Sequence, residues 1–195
     1  MQQKKIYRNI KKSFLSPFLV ILAVILLPST GKALWFLPLI FAFAVSIVNR
    51  EKIIVKSKPF GIIISILQSY GVFIGMSIVV YLLDSFMPEV YVAENQFDIK
   101  GIALVTFGGY LAALLLFYFY TFSFRVKNKR IAYFVISVCY VLIVIVMQIF
   151  SKNEFLQFGV EKFTSFLISW LIFMSLAYSL SMNFHAFEAY FSKKK

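Results

Sequence analysis

Acidic side chains are scarce in this chain: eight Asp and Glu stand against twenty Lys and Arg in 195 residues, a formal charge of +12. Cysteine and histidine occur once each, as Cys139 and His185. One cysteine excludes an internal disulfide and a cysteine-based zinc site, and says nothing of redox compartment. The five prolines and eight glycines are too few for a low-complexity linker, and no internal repeat is visible. No GxSG elbow, HExxH, P-loop or acidic metal motif is present. Charged residues of both signs make up only 14%, against roughly 25% in soluble domains.

Apolar residues fill the remainder, 61% of the chain at a mean hydropathy of +0.86. A soluble domain of this size cannot hide that much apolar surface, whereas stretches of about 18 or more apolar residues read as membrane spans. Taking runs bounded by charge or turn residues, we expect helices at about Ile10–Pro28, Ala33–Asn49, Phe60–Leu83, Gly101–Phe124, Ile131–Phe150 and Phe163–Asn183. The last four are long enough to cross a core of about 30 Å. The first two carry Pro17, Pro28 and Pro38. They read as two short spans with Lys11 and Lys12 snorkelling, or as a re-entrant hairpin returning to its own side. The basic start and the run Phe14–Leu27 fit a cleavable leader poorly, because no small-residue cleavage site follows before the next apolar run opens.

Sixteen of the twenty basic residues lie in both termini and in two alternate connections, Arg50–Lys58 and Arg125–Arg130. The other connections hold Lys32, Lys100, Lys152 and Lys162, with six of the eight acids. Because cytoplasmic segments are enriched in Lys and Arg, this predicts an even number of spans with both termini in the cytoplasm. The expected fold is all-α: a polytopic six-helix bundle forming one membrane domain over residues 1–195. Enrichment in Lys, Ile and Phe fits an AT-rich bacterial genome, hence a bacterial plasma membrane.

Six of the nine residues Leu116–Phe124 are aromatic, and four of the next six are basic. Near-alternation suggests a strand, but a lone strand at membrane depth leaves backbone groups unpaired, and no other segment alternates as a barrel requires. We read this stretch as the cytoplasmic end of the fourth helix, with Tyr118 and Tyr120 reaching the headgroups and the basic loop lying against anionic lipid. The basic residues are divided among apolar runs rather than gathered on one water-facing surface, so a nucleic-acid partner is not expected. The acidic connection Asp84–Lys100 reads as a solvated outer loop.

No ionisable residue stands in the middle of any expected helix, so neither catalysis at depth nor ion coupling is expected, and no cofactor or metal site is assigned. Gln68 and Gln148 are the deepest polar candidates, and His185 near Glu188 reads as interfacial. Two helices carry polar faces. On the third, Gly61, Ser65, Gln68, Gly71 and Gly75 fall within about 120°, and Gly71–Gly75 is a GxxxG that permits close helix approach. On the sixth, Ser165, Ser169, Ser175, Ser179 and Asn183 form a stripe, with Phe166, Leu167, Trp170 and Phe173 left for lipid. Gly108, Gly109, Ala112 and Ala113 add a small-residue patch on the fourth.

These faces either pack helices together or line a weakly polar path. The leading functional expectation is a small permease-type transport component, not an enzyme, energised by a partner membrane subunit or a cytoplasmic ATPase that docks on the two basic loops. This rests on analogy of length and topology alone. The alternative is a non-transporting membrane scaffold, regulatory or immunity protein.

Overall fold

A computed structural model describes residues 2–26, 35–86, 99–151 and 162–191. The described residues form six α-helices: α1 (Gln2–Ile25), α2 (Leu37–Val48), α3 (Lys58–Phe86), α4 (Ile99–Ser123), α5 (Lys129–Ser151) and α6 (Lys162–Phe191). Among the described residues there is no strand. Four segments are long and apolar enough to cross a membrane: Lys58–Leu83, Thr106–Ser123, Lys129–Val146 and Leu167–Phe184. The α2 helix is shorter; its twelve residues rise about 18 Å.

Local chemistry sets the helix ends. Pro38 sits in the first turn of α2 and Pro59 in that of α3, where a missing N–H costs nothing. The Asn128 side-chain carbonyl accepts the Ile131 N–H at 3.2 Å, capping α5. The α1 helix begins eight residues before the expected Ile10, because Gln2–Asn9 contains no breaker and continues the helix beyond the apolar run. For the same reason α6 runs on to Phe191, past the expected Asn183.

Each helix packs on the next in sequence, and α6 closes the ring against α1 while also touching α2 and α4. Side-chain pairs give the directions. Tyr178 and Trp170 of α6 donate to Ala113 O and Gly109 O of α4, so these two helices run parallel. Tyr140 donates to Thr106 O, while Phe117 stacks on Tyr133, so α5 runs antiparallel to α4. Contacts of Ser69 with Tyr120 and of Val80 with Gly108 set α3 antiparallel as well. The centre is filled by rings: Phe41, Phe117, Tyr120, Trp170 and Tyr178 meet edge-on or tilted with centroids 5.3–6.4 Å apart. Outward-facing positions are apolar, among them Leu67, Ile78, Phe134 and Val141.

Two expectations are corrected here. Tyr120 does not reach out to headgroups: it is fully buried, and its hydroxyl shares a 2.9 Å hydrogen bond with Ser69, whereas Tyr118 is half exposed. Trp170 is likewise no lipid-facing residue, since its indole N–H is spent inside the bundle on Gly109 O at 3.0 Å. A buried ring with a polar handle needs such a partner, and the small residues Gly109 and Ala113 leave their carbonyls reachable.

At one end of the bundle the two basic connections join. Arg50–Lys52 forms a 3-10 turn after α2, and Ile53 then makes an antiparallel bridge with Phe124. Ile54 N–H donates to Ser123 O at 3.0 Å and Arg125 N–H to Lys52 O at 2.8 Å. Gly61 makes this possible: a Cβ there would lie 2.4 Å from Ile53 Cγ2. We call this the basic end.

Candidate functional site

Near the basic end, α1, α2 and α6 enclose a polar cluster. Ser13 and Ser16 are spaced i, i+3 on α1; Ser46 and Asn49 are spaced alike at the end of α2; Ser175, Ser179 and Asn183 follow at i, i+4, i+8 on α6. Each spacing keeps its residues on one helix face. All seven side chains are at most 4% exposed.

Asn183 is the hub. Its Nδ2 donates to Asn49 Oδ1 at 3.0 Å and to Ser179 O at 2.9 Å, with a longer contact of 3.3 Å to Ser13 Oγ. Asn49 Nδ2 donates to Ser179 Oγ at 3.0 Å and to Val45 O at 2.9 Å. Ser13 Oγ lies 3.2 Å from both Asn9 O and Ser179 O. Three helices are thus held by amide and hydroxyl groups with no charged member. At the rim, Lys12 Nζ pairs with Glu51 Oε1 at 2.8 Å. One turn deeper, Ser175 turns back to Ile172 O, but the hydroxyls of Ser16 and Ser46 are buried and have no hydrogen-bond partner among the described residues. Such orphans are rare, because each costs about 1–3 kcal/mol when left unmet.

A second, smaller network ties α3 to α4. Gln68 Nε2 donates to Phe119 O at 3.0 Å, and Ser123 Oγ donates to Gln68 Oε1 at 3.2 Å. Ser65 Oγ returns to its own helix at Gly61 O, 2.8 Å away.

The expected site residues therefore divide. Ser175, Ser179 and Asn183 come together, but with α1 and α2 rather than with the polar face of α3. Gly61, Ser65 and Gln68 face α4 and the bridged loops. The central rings Phe41, Tyr120 and Tyr178, drawn from α2, α4 and α6, fill the space in which the two stripes would have shared a lining. Ser169 is half-buried. The side chains of Ser165, Asp84, Gln148, His185 and Glu188 lie outside the described residues, as does the connection holding Glu89 and Glu94.

Gly71 and Gly75 are exposed, and among the described residues a Cβ at either would meet nothing within 4 Å, so the GxxxG makes no close approach to them. The packed face of α3 runs instead through Ser65, Ser69, Val72 and Met76. At about 100° per residue that line is centred roughly 90–130° away from the two glycines. Gly108, not Gly71, marks the close helix approach, with Val80 Cγ2 2.8 Å from its would-be Cβ.

Ser13, Ser16, Ser46 and Asn49 escaped the sequence reading. Their signal was the paired i, i+3 polar spacing within the two weakest apolar runs. Comparison of the chain with protein-family models, curated proteins and solved structures finds no match. Among the described residues no group of His, Cys, Asp or Glu is placed to hold a metal ion.

Proposed function

We propose that the chain is a six-span integral membrane subunit with both termini cytoplasmic, serving as the permease-type component of a transport assembly whose energy comes from a partner. Four helices of spanning length, the alternation of directions from α3 to α6 and the basic loops gathered at one end support the topology. The basic end is then the cytoplasmic end, by the excess of Lys and Arg in cytoplasmic segments. The observation that carries the transport reading is the pair of orphan hydroxyls, Ser16 and Ser46, beside the Asn49–Asn183 cluster. Polar groups unmet inside an apolar bundle offer a solute the contacts it loses on leaving water.

A second reading has its own support. The α6 stripe is hydrogen-bonded within the bundle and closed by rings, which favours a scaffold, regulatory or immunity protein with no path at all.

Single cysteines at Ser16, Ser46, Ser169, Ser175 and Ser179, in a Cys139→Ser background, distinguish the two. A small water-borne thiol reagent is added to intact membranes with and without a candidate ATPase and nucleotide. Thiolates form only where ionisation is supported, so sites on a path react and sealed sites do not. Transport requires labelling at Ser16 or Ser46 that changes with nucleotide. Protection of every site in folded, inserted protein would discard the transport reading in favour of the second.

A further inference from the structure

The bridge between the two basic connections does more than shorten loops. Residues 49–58 and 124–130 together hold eight Lys and Arg and a single acid, Glu51, which Lys12 engages. The bridge sets Lys52 beside Arg125 through a backbone hydrogen bond of 2.8 Å, and Arg50, Lys56, Lys58, Arg125, Lys127 and Lys129 are all exposed. Like charges on facing backbone segments repel, yet here two hydrogen bonds hold the segments together, with Ile53 seated against Gly61 of α3. An anion spanning both segments would relieve that repulsion.

We propose that the bridged connections form one composite surface that binds the phosphate headgroups of anionic lipids. Phosphate suits the residues: Arg50 and Arg125 offer planar forks of donors and the lysines offer point charges. The neighbouring side chains choose the lipid over a soluble anion or an acidic protein. Ile54, Phe60, Tyr118 and Phe122 stand 50–57% exposed at this end. Phe122 precedes Arg125 by about one helical turn, and Phe60 follows Lys58 by about 3 Å of rise. Cations within one turn of outward-facing rings match the boundary where headgroups meet acyl chains. An acidic protein docking from water would cover the cations and leave those rings unmet. The inference rests on the membrane reading above, and deepens it by naming a lipid class.

The test uses the full chain, purified in a mild zwitterionic detergent and incorporated into nanodiscs of defined composition. Retention in membranes after alkaline carbonate washing is checked first, and release there would refute the membrane reading itself rather than the headgroup site. Lipid binding is followed by native mass spectrometry and by thermal stability as phosphatidylglycerol or phosphatidylcholine is added, with inorganic phosphate and a polyglutamate peptide as competitors. We expect phosphatidylglycerol to bind in preference and to raise Tm, with an effect that weakens as salt rises. Lys56→Gln/Lys58→Gln and Arg125→Gln/Lys127→Gln should each weaken that binding by roughly tenfold or more, since a cation near an anionic surface contributes about fivefold. Ile54→Pro removes a bridge N–H without changing charge, and should also weaken binding if both segments form one surface. Equal binding after Ile54→Pro, or a preference that survives both double variants, overturns the composite site. So does equal binding of the two lipids, or full displacement by inorganic phosphate at equal concentration. Capture of polyglutamate without any lipid preference would assign the surface to an acidic protein instead. The double variants change only exposed side chains, so they remain informative if Ile54→Pro fails to fold.

Discussion

Asn183→Ala tests the polar cluster directly. The truncation removes the donor to Asn49 Oδ1 at 3.0 Å and the longer contact to Ser13 Oγ, leaving the Asn49 carbonyl buried and unmet. Hydrogen bonds between helices in a membrane protein average about 0.6 kcal/mol, with a ceiling near 1.7, because the separated helices find other partners in the membrane. An unmet buried acceptor adds about 1–3 kcal/mol. The expected cost is therefore about 1–3 kcal/mol, or roughly five- to 150-fold in the unfolding equilibrium. Phe134→Ala, at an outward position 69% exposed, supplies the control and should stay within about 0.5 kcal/mol. Unfolding is followed by tryptophan fluorescence as dodecyl sulfate is titrated into the detergent-solubilised chain, with Trp170 reporting from the interior. Asn49→Ala closes a double-mutant cycle whose coupling energy should be about 0.6–1.7 kcal/mol. If the coupling is zero and Asn183→Ala costs no more than Phe134→Ala, the two amides are not bonded and α2 does not meet α6 in this register.

Two further outcomes are expected. Gly71→Leu and Gly75→Leu should leave monomer stability within about 0.5 kcal/mol of the parent, because a side chain there enters open space, while Val72→Ala should cost on the order of 1 kcal/mol through lost packing. Thermal unfolding in detergent compares them, and a reversed order would return the glycines to the packed face. Reporters fused after Lys195 or within Asn128–Lys129 should read cytoplasmic and one near Ala93 external, as the positive-inside rule predicts from the sixteen basic residues of the termini and the two basic connections; an external C-terminus would sink the six-span topology. A site at Gly31 that is sealed from outside, while Ala93 is open, would make α1 and α2 a re-entrant pair.

Helix number was legible because charge and turn residues interrupt the apolar runs, and six helices lie where six runs stand. Their ends were less legible, as Gln2–Asn9 and Phe184–Phe191 show: a polar segment without a breaker extends a helix beyond any apolar boundary. Rotation about the helix axis was least legible. In a soluble helix the apolar stripe points inward, but α3 carries apolar residues on every side, and some of its serines need no neighbouring helix. Ser65 and Ser77 satisfy themselves on Gly61 O and Phe73 O one turn back, so a serine on α3 points to the core at Ser65 and outward at Ser77 with the same local bond. Small size is equally ambiguous, since Gly108 marks an approach and Gly71 does not. What distinguishes them is the partner helix, which no local pattern contains.

The first two runs looked weak for their prolines, Pro17, Pro28 and Pro38, and their polar residues weaken them further. Ser13 and Ser16, with Lys11 and Lys12 before them, lower the apolar character of α1; Ser46 and Asn49 end α2 after only twelve residues, about 18 Å of rise against a core of about 30 Å. Judged alone, neither is a convincing span. Yet the residues that weaken them are those that α6 meets: Asn183 reaches Ser13 and Asn49, Ser179 O lies beside the Ser13 hydroxyl, and Ser179 Oγ accepts from Asn49. Polarity that is a cost for an isolated helix becomes an address once a complementary helix is present. The helices α1 and α2 therefore depend for their polar partners on α6, which is synthesised well after them, and Ser16 and Ser46 are the members of that address which α6 leaves unanswered.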